Sequence, residues 1–186
     1  IDDSFIDRNY TDASGNLWKC IWPADLTYRG NDAEDYEPYW GDSRPYELMT
    51  NKDIYDYSKL ARLIRIIDQE PDSLEFVLSI KEALQYLAMN ILTGSWDDYR
   101  SNINNFYLYH EPDEDIFHWL PFDYDNTFGV DWFGIDWSTV DPYEYELIND
   151  GPRPLTDLLF SEIRYRNLFT HFLDFYNTIL FSDTVL

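Results

Sequence analysis

The chain has 186 residues, 45% of them hydrophobic and 19% aromatic, which excludes a disordered segment and is enough for one domain with a substantial core. Its 36 acidic and 13 basic residues give a net charge of −23, a field that repels nucleic acid and anionic membrane surfaces. The same field repels phosphate-rich ligands, so a site for one requires divalent cations that neutralise the acids locally.

Most acids outside residues 97–125 read as a solvated face. The lone Cys20 excludes an internal disulfide framework and a Cys-based zinc site, and between Trp18 and Ile21 it reads as a small buried residue. No apolar run reaches the roughly 18 residues of a membrane-spanning helix, and no signal peptide is visible. The chain begins at Ile1 and stops at Leu186 inside an apolar run, which reads as a fragment of a longer protein.

Residues 1–30 read as strands and turns, with a turn signal at residues 12–16 before the apolar segment 17–22. Residues 31–51, acidic and Tyr-rich with Pro38, Gly41 and Pro45, read as a surface excursion. A helix is predicted at about residues 55–68 from the spacing of Leu60, Leu63, Ile64 and Ile67. The next helix carries a capping-box signature, Ser79 with Glu82, although its start could lie earlier, near Ser73. Its apolar stripe is Leu84, Leu87, Ala88 and Ile91, and Gly94 suits a left-handed C-terminal position. Two strands follow at residues 105–110 and 116–122, with Phe106, Leu108, Phe117, Trp119 and Leu120 expected on the core face. Residues 130–154 read as an irregular aromatic loop. Residues 156–181 read as mostly helical, with Leu168, Phe172, Phe175 and Ile179 as core positions. There is no internal repeat.

The chemistry concentrates in residues 96–129. An acid (Asp97) is followed by amides (Asn102, Asn104, Asn105), then by an apolar hairpin, then by the acid pair Asp123 and Asp125 before Phe128-Gly129. This is the order of parts in a kinase catalytic segment, where the first acid orients the attacking hydroxyl and the amide and second acid hold Mg²⁺. Asp97 and Asn102 are five residues apart, as in the protein-kinase catalytic loop. Asp and Asn are also common turn residues, so an Asp in a post-helical turn and an Asn capping a strand are the competing readings.

The segment Asp123-Tyr124-Asp125-Asn126-Thr127 also fits a haloacid-dehalogenase-type phosphatase, with Asp123 as nucleophile and Asp125 as acid/base. That chemistry needs a downstream cation, and Lys19, Lys52, Lys59 and Lys81 all precede Asp123, which disfavours it. An EF-hand fails because Phe128 stands where Gly is required. His110, His118 and His171 lack metal-ligand spacing and read as structural. Trp18, Trp22, Phe106 and Trp119 read as core. Tyr36, Tyr39, Trp40, Trp132, Trp137 and Tyr143 are left as a stacking or docking surface.

With these residues assembled, the chain resembles the CotH kinase family of atypical protein kinases. The resemblance is carried by residues 1–6 and 15–20, by Tyr46-Glu47-Leu48-Met49-Thr50-Asn51, and by residues 87–97. It continues through Asn104-Asn105-Phe106-Tyr107-Leu108-Tyr109 and residues 120–129. It implies a protein-kinase-like fold, ATP with Mg²⁺ or Mn²⁺, and phosphorylation of Ser or Thr on a protein, often a secreted or coat protein, hence an extracellular or cell-surface location. Carried over by motif, Asp97 is the catalytic acid and Asn105, directly before the strand, is the metal-binding amide in preference to Asn102. Asp123 is the metal-binding acid, with Asp125 close behind it. The family's upstream Arg-Gly and Phe-Pro-Lys-Lys-type segment does not occur in these residues, and Lys19 is not taken as its replacement, so a partial domain is expected.

The expected fold is α+β: residues 1–50 as the end of an N-terminal sheet with the acidic excursion, and residues 51–186 as a mainly helical catalytic lobe with a β-hairpin. The expected function is ATP- and metal-dependent phosphoryl transfer, with a non-catalytic kinase-like module for adhesion or for protein or glycan binding as the alternative. Asp97, Asp123 and an Asn amide should converge on one open cleft, with at least one Asp pKa raised.

Overall fold

The computed structural model describes residue 1 and residues 3–37, 44–145, 148 and 150–181. At its centre is an antiparallel sheet of β1 (Asn16–Cys20), β2 (Tyr46–Leu48), β3 (Phe106–Glu111) and β4 (Ile116–Pro121), in the order β2-β1-β3-β4. The predicted hairpin therefore does not stand alone. β1 pairs along β3 from Asn16↔His110 to Cys20↔Phe106, which joins strands nearly ninety residues apart. Every strand pair of the sheet is antiparallel, and the isolated Leu78↔Phe117 bridge is the one parallel contact among the described residues, so the doubly wound parallel sheet of a haloacid-dehalogenase fold is absent among them.

Strand alternation sends side chains to both faces, and both faces are covered. Trp18, Leu48, Leu108, Phe117 and Trp119 point into the main core with α2 (Ser58–Gln69) and α3 (Ile80–Thr93). Leu17, Tyr107, Tyr109 and Leu120 point the other way and pack with Ile6 of α1 (Asp3–Asn9). Two expectations change here. Leu120 belongs to the second face rather than to that of Phe117 and Trp119, because it sits one residue out of phase with them. Residues 3–9 are helical rather than extended. Seven residues are too few to show a helical period in sequence, and burial of Ile6 against the sheet supplies the reason for the helix.

Within the predicted excursion, Tyr46–Leu48 is a paired strand and Tyr36 is buried, its hydroxyl donating to the Gly30 carbonyl at 2.9 Å. Pro38 and Gly41 lie outside the described residues. At Gly15 a Cβ would stand 1.9 Å from the His110 carbonyl oxygen, so the close approach of β1 to β3 requires glycine.

α2 buries Leu60, Leu63, Ile64 and Ile67 as its periodicity predicts. α3 ends at Gly94 with φ 65°, as expected. Its start is different: the Ser79 side chain makes no cap bond. The Glu82 carboxylate instead accepts the Trp119 N–H at 3.2 Å and faces His118 at 3.1 Å, because β4 beside the helix offers partners stronger than a local cap. The C-terminal stretch is two helices, α5 (Pro154–Ser161) and α6 (Ile163–Leu180), separated at the extended residue Glu162. Phe172 is buried, Leu168 is partly buried, and Phe175 and Ile179 are exposed, because the last turns of α6 run past the core. Cys20 is buried, as its apolar neighbours predict.

Candidate functional site

The hairpin register places the site. Phe106 pairs with Pro121, so Asn105 enters and Phe122-Asp123 leaves at the same end of the sheet. α3 delivers residues 95–98 to this end. There Trp96 is buried and its Nε1 donates to the Val130 carbonyl at 2.8 Å.

The two adjacent acids face different surroundings. Asp98 is buried and caps the short helix α4 (Tyr99–Asn102), accepting the Ser101 N–H at 2.8 Å and Asn90 Nδ2 at 2.6 Å. Burial pushes the Asp98 carboxyl up, against the hydrogen bonds of Ser101 and Asn90 and the charges of Arg100 and Arg153. Asp97 is half-buried and gathers side-chain amides. Oδ1 accepts from Asn102 at 2.6 Å and Asn104 at 2.9 Å, and Oδ2 accepts from Asn105 at 3.0 Å and Asn126 at 3.3 Å. A carboxylate has about four acceptor positions, so Asp97 is saturated by amides from two loops.

Asp123 and Asp125 stand exposed on the turn that also carries Asn126. Partial desolvation and the charges of Asp123 and Asp97 hold the Asp125 carboxyl above its usual range, with Asp123 within hydrogen-bonding reach. Because Asp125 is open to solvent, the like charges outweigh burial as the cause. The raised Asp agrees with the sequence; the amides gather on Asp97, and Asp123 adjoins Asp125 on the turn that Asn126 ties to Asp97.

Among the described residues, no three His, Cys, Asp or Glu side chains are gathered closely enough to hold a metal ion by themselves. A hard cation at the Asp123–Asp125 turn would take its remaining ligands from amide, water or phosphate oxygens, the usual arrangement for Mg²⁺. The donor set fits that role. Asn105 Nδ2 is committed to Asp97, while its Oδ1 receives no hydrogen bond among the described residues.

Four site residues adopt left-handed backbone without being glycine: Ile103 (φ 50°), Asn105 (φ 55°), Asp123 (φ 55°) and Phe128 (φ 52°). For a β-branched residue such as Ile103 this conformation is costly, and clusters of such residues mark sites that the surrounding structure over-determines. Ile103 is held by its N–H to the Tyr99 carbonyl and by the Ala24 N–H on its own carbonyl. α4 is fixed from behind by Arg153, whose guanidinium donates to the carbonyls of Arg100 and Ser101, while Arg100 donates to those of Pro142 and Tyr143.

Several contributors were not singled out from sequence. Asn126 ties the acid turn to Asp97, and the Tyr124 hydroxyl donates to Asn90 Oδ1 at 2.6 Å. Only the adjacency of Asn126 to the acid pair was a signal. Lys19 Nζ lies 4.5 Å from the centroid of the Phe122 ring, next in sequence to Asp123.

Trp22, expected in the core, is 45% exposed: it lies past the end of β1, and its backbone N–H donates to Asn104 Oδ1 at 2.8 Å. Of the proposed stacking aromatics, Tyr36 and Trp137 are buried, Tyr143 is partly buried, Trp132 is exposed, and Tyr39 and Trp40 lie outside the described residues. His110 pairs with Asp115, His118 bridges Glu82 and Glu111, and His171 stacks on Phe175.

The fold and site define a mixed α+β protein whose acidic and amide-bearing loops meet at one end of an antiparallel sheet. Over residues 1–185 the chain matches the family model described as CotH kinase protein, and it belongs to that family. Membership points to kinase-type phosphotransfer in general. No curated protein matches the chain.

Proposed function

We propose that this chain carries the catalytic segment of an ATP- and metal-dependent phosphotransferase acting on Ser or Thr of a protein at the cell surface or outside the cell. One observation carries the reading: amides from two separate loops converge on Asp97, beside two exposed acids that repel one another. A structural turn needs neither the repulsion nor the second loop.

In this reading the acceptor hydroxyl takes the place of Asn126, the longest of the four contacts on Asp97. Its oxygen attacks the γ-phosphorus of ATP, its proton passes to Asp97 Oδ2, and ADP leaves. Asn102 and Asn104 hold the other oxygen of Asp97 and fix the carboxylate plane. Asp123, Asp125 and Asn105 Oδ1 would hold Mg²⁺ or Mn²⁺, which supplies charge neutralisation on the phosphates. The open, solvent-facing position of both acids suits a ligand that arrives with the nucleotide.

The saturation of Asp97 by amides also favours a second reading, a non-catalytic kinase-like module in which Asp97 only pins the loops. A nucleotide thermal-shift measurement on the full-length protein, with and without Mg²⁺ or Mn²⁺, separates the two. ATP stabilisation that depends on the metal supports the phosphotransferase, and no response to either supports the binding module.

A further inference from the structure

Directly after the acid turn the chain exposes Phe128 (75%), Val130 (42%), Trp132 (72%) and Phe133 (49%). Exposed apolar patches of this kind mark interaction surfaces when the chain holds them in place. This one is held. Asp131 Oδ2 accepts the backbone N–H groups of Phe133, Gly134 and Ile135, and its Oδ1 accepts Trp137 Nε1 at 2.8 Å. Trp132 and Phe133 meet the buried Trp96 edge-on, with centroids 5.1 and 5.0 Å away, and Trp96 precedes Asp97 in the chain. Phe128 also borders a cavity of about 450 Å³ whose wall includes Gly129, Ile135, Asp136 and Trp137.

The electrostatics select the partner. From residue 101 to residue 152 the sequence contains twelve Asp or Glu and neither Lys nor Arg. Asp131 is consumed inside its loop, and Asp136, which accepts from Ser138, stays exposed on the wall of the cavity that Phe128 borders. An apolar platform inside a field of one sign fits an apolar side chain flanked by the opposite sign.

We propose that Phe128, Trp132 and Phe133 form the docking platform for the acceptor polypeptide, seating a bulky apolar residue that lies a fixed number of positions from the phosphorylated hydroxyl and is flanked by Lys or Arg. This rests on the phosphotransferase reading for the meaning of the hydroxyl, but docking is measurable without catalysis. The platform is rigid before binding, so little ordering cost opposes the contact, and aromatic anchors are where binding energy concentrates.

The test is an array of 13-residue peptides with a fixed central Ser in a Lys-containing background. Leu, Phe or Trp is walked through each flanking position, and matched peptides carry Ala there. Binding of the full-length protein should peak at one offset, about tenfold above the Ala peptide, and the peak should vanish for Phe128→Ser with Trp132→Ser. Phe128→Lys, at a side chain three-quarters exposed, should weaken the same peptides even if the double variant melts early. Equal binding of the apolar and Ala peptides, or an unchanged peak in both variants, overturns the platform. A dimer in sedimentation that dissociates with Trp132→Ser assigns the surface to a second copy and also overturns it. Docking without phosphate transfer removes the catalytic reading alone, and transfer at equal rates to apolar and Ala peptides removes the docking alone.

Discussion

The Tyr124 hydroxyl donates to Oδ1 of Asn90 at 2.6 Å, and Asn90 Nδ2 donates at 2.6 Å to Asp98, so the turn bearing Asp123 and Asp125 is tied to α3 and to the base of α4. Tyr124→Phe removes one oxygen and leaves a buried amide oxygen without a donor. A loss of about 1–2 kcal/mol in denaturant unfolding is expected, together with weaker Mn²⁺ binding. Unchanged stability and unchanged Mn²⁺ binding would show that the tie holds nothing.

Asp97 and Asp123 should separate under mutation. Asp97→Ala strips the acceptor from four amides and should cost about 2–3 kcal/mol as well as activity. Asp123→Ala should abolish phosphotransfer with the melting temperature unchanged or raised, because it removes a like charge beside Asp125. Circular dichroism melts of the two variants side by side check the contrast.

The raised Asp125 carboxyl has a pH signature. A folded-state pKa above the unfolded one means that the native state binds the proton more readily. Stability therefore declines as pH rises from the ordinary Asp value through the raised one. Asp123→Asn, or addition of Mg²⁺, should lower the midpoint of Asp125 in a carbon-detected NMR titration. A midpoint indifferent to both would refute the coupling.

His118 shows a dependence of the same sign at higher pH. Burial disfavours its charge, but Glu82 at 3.1 Å and Glu111 at 3.2 Å prevail and hold its pKa above the usual histidine value. Its contribution is full below the unfolded pKa and is lost as pH rises through the folded one. His118→Gln should cost about 1–2 kcal/mol near pH 6 and clearly less near pH 8.5, measured by denaturant unfolding at both values.

Arg153 acts on the site through α4. Arg153→Ala removes a charged donor from the carbonyls of Arg100 and Ser101, although Ser101 keeps the Ile148 N–H, and a loss of about 1–3 kcal/mol is expected, with Arg153→Lys recovering only part of it. Hydrogen exchange at Ser101 and Asn102 should rise in the Ala variant.

Much of the hairpin and helices was legible because apolar spacing survives any tertiary context. The stripe of α2, the left-handed end of α3 and the strands around residues 111–115 follow from local rules. The elements that were missed are short: seven residues of α1, four of α4 and three of β2. Each depends on a distant surface, such as the far face of the sheet for Ile6. Glu82 was read as half of a capping box, and its actual partners lie on β4, more than thirty residues away in sequence. Trp22, Phe175 and Ile179 looked like core residues because aromatic and aliphatic identity carries no information about where a strand or helix outruns its neighbours.

By itself, the sequence determined the residue types of the site, the charge that any ligand or partner must meet, and the hairpin that returns Asp123 toward Asp97, because these depend on composition and on periods of two and 3.6 residues. Only the tertiary structure decided that Asp97 faces amides while Asp98 is buried, that Asn126 and Tyr124 bind the two loops together, and that Trp137 is buried while Trp132 is exposed. Adjacent residues in a turn differ by the direction of one side chain, and that direction is set by partners tens of residues away.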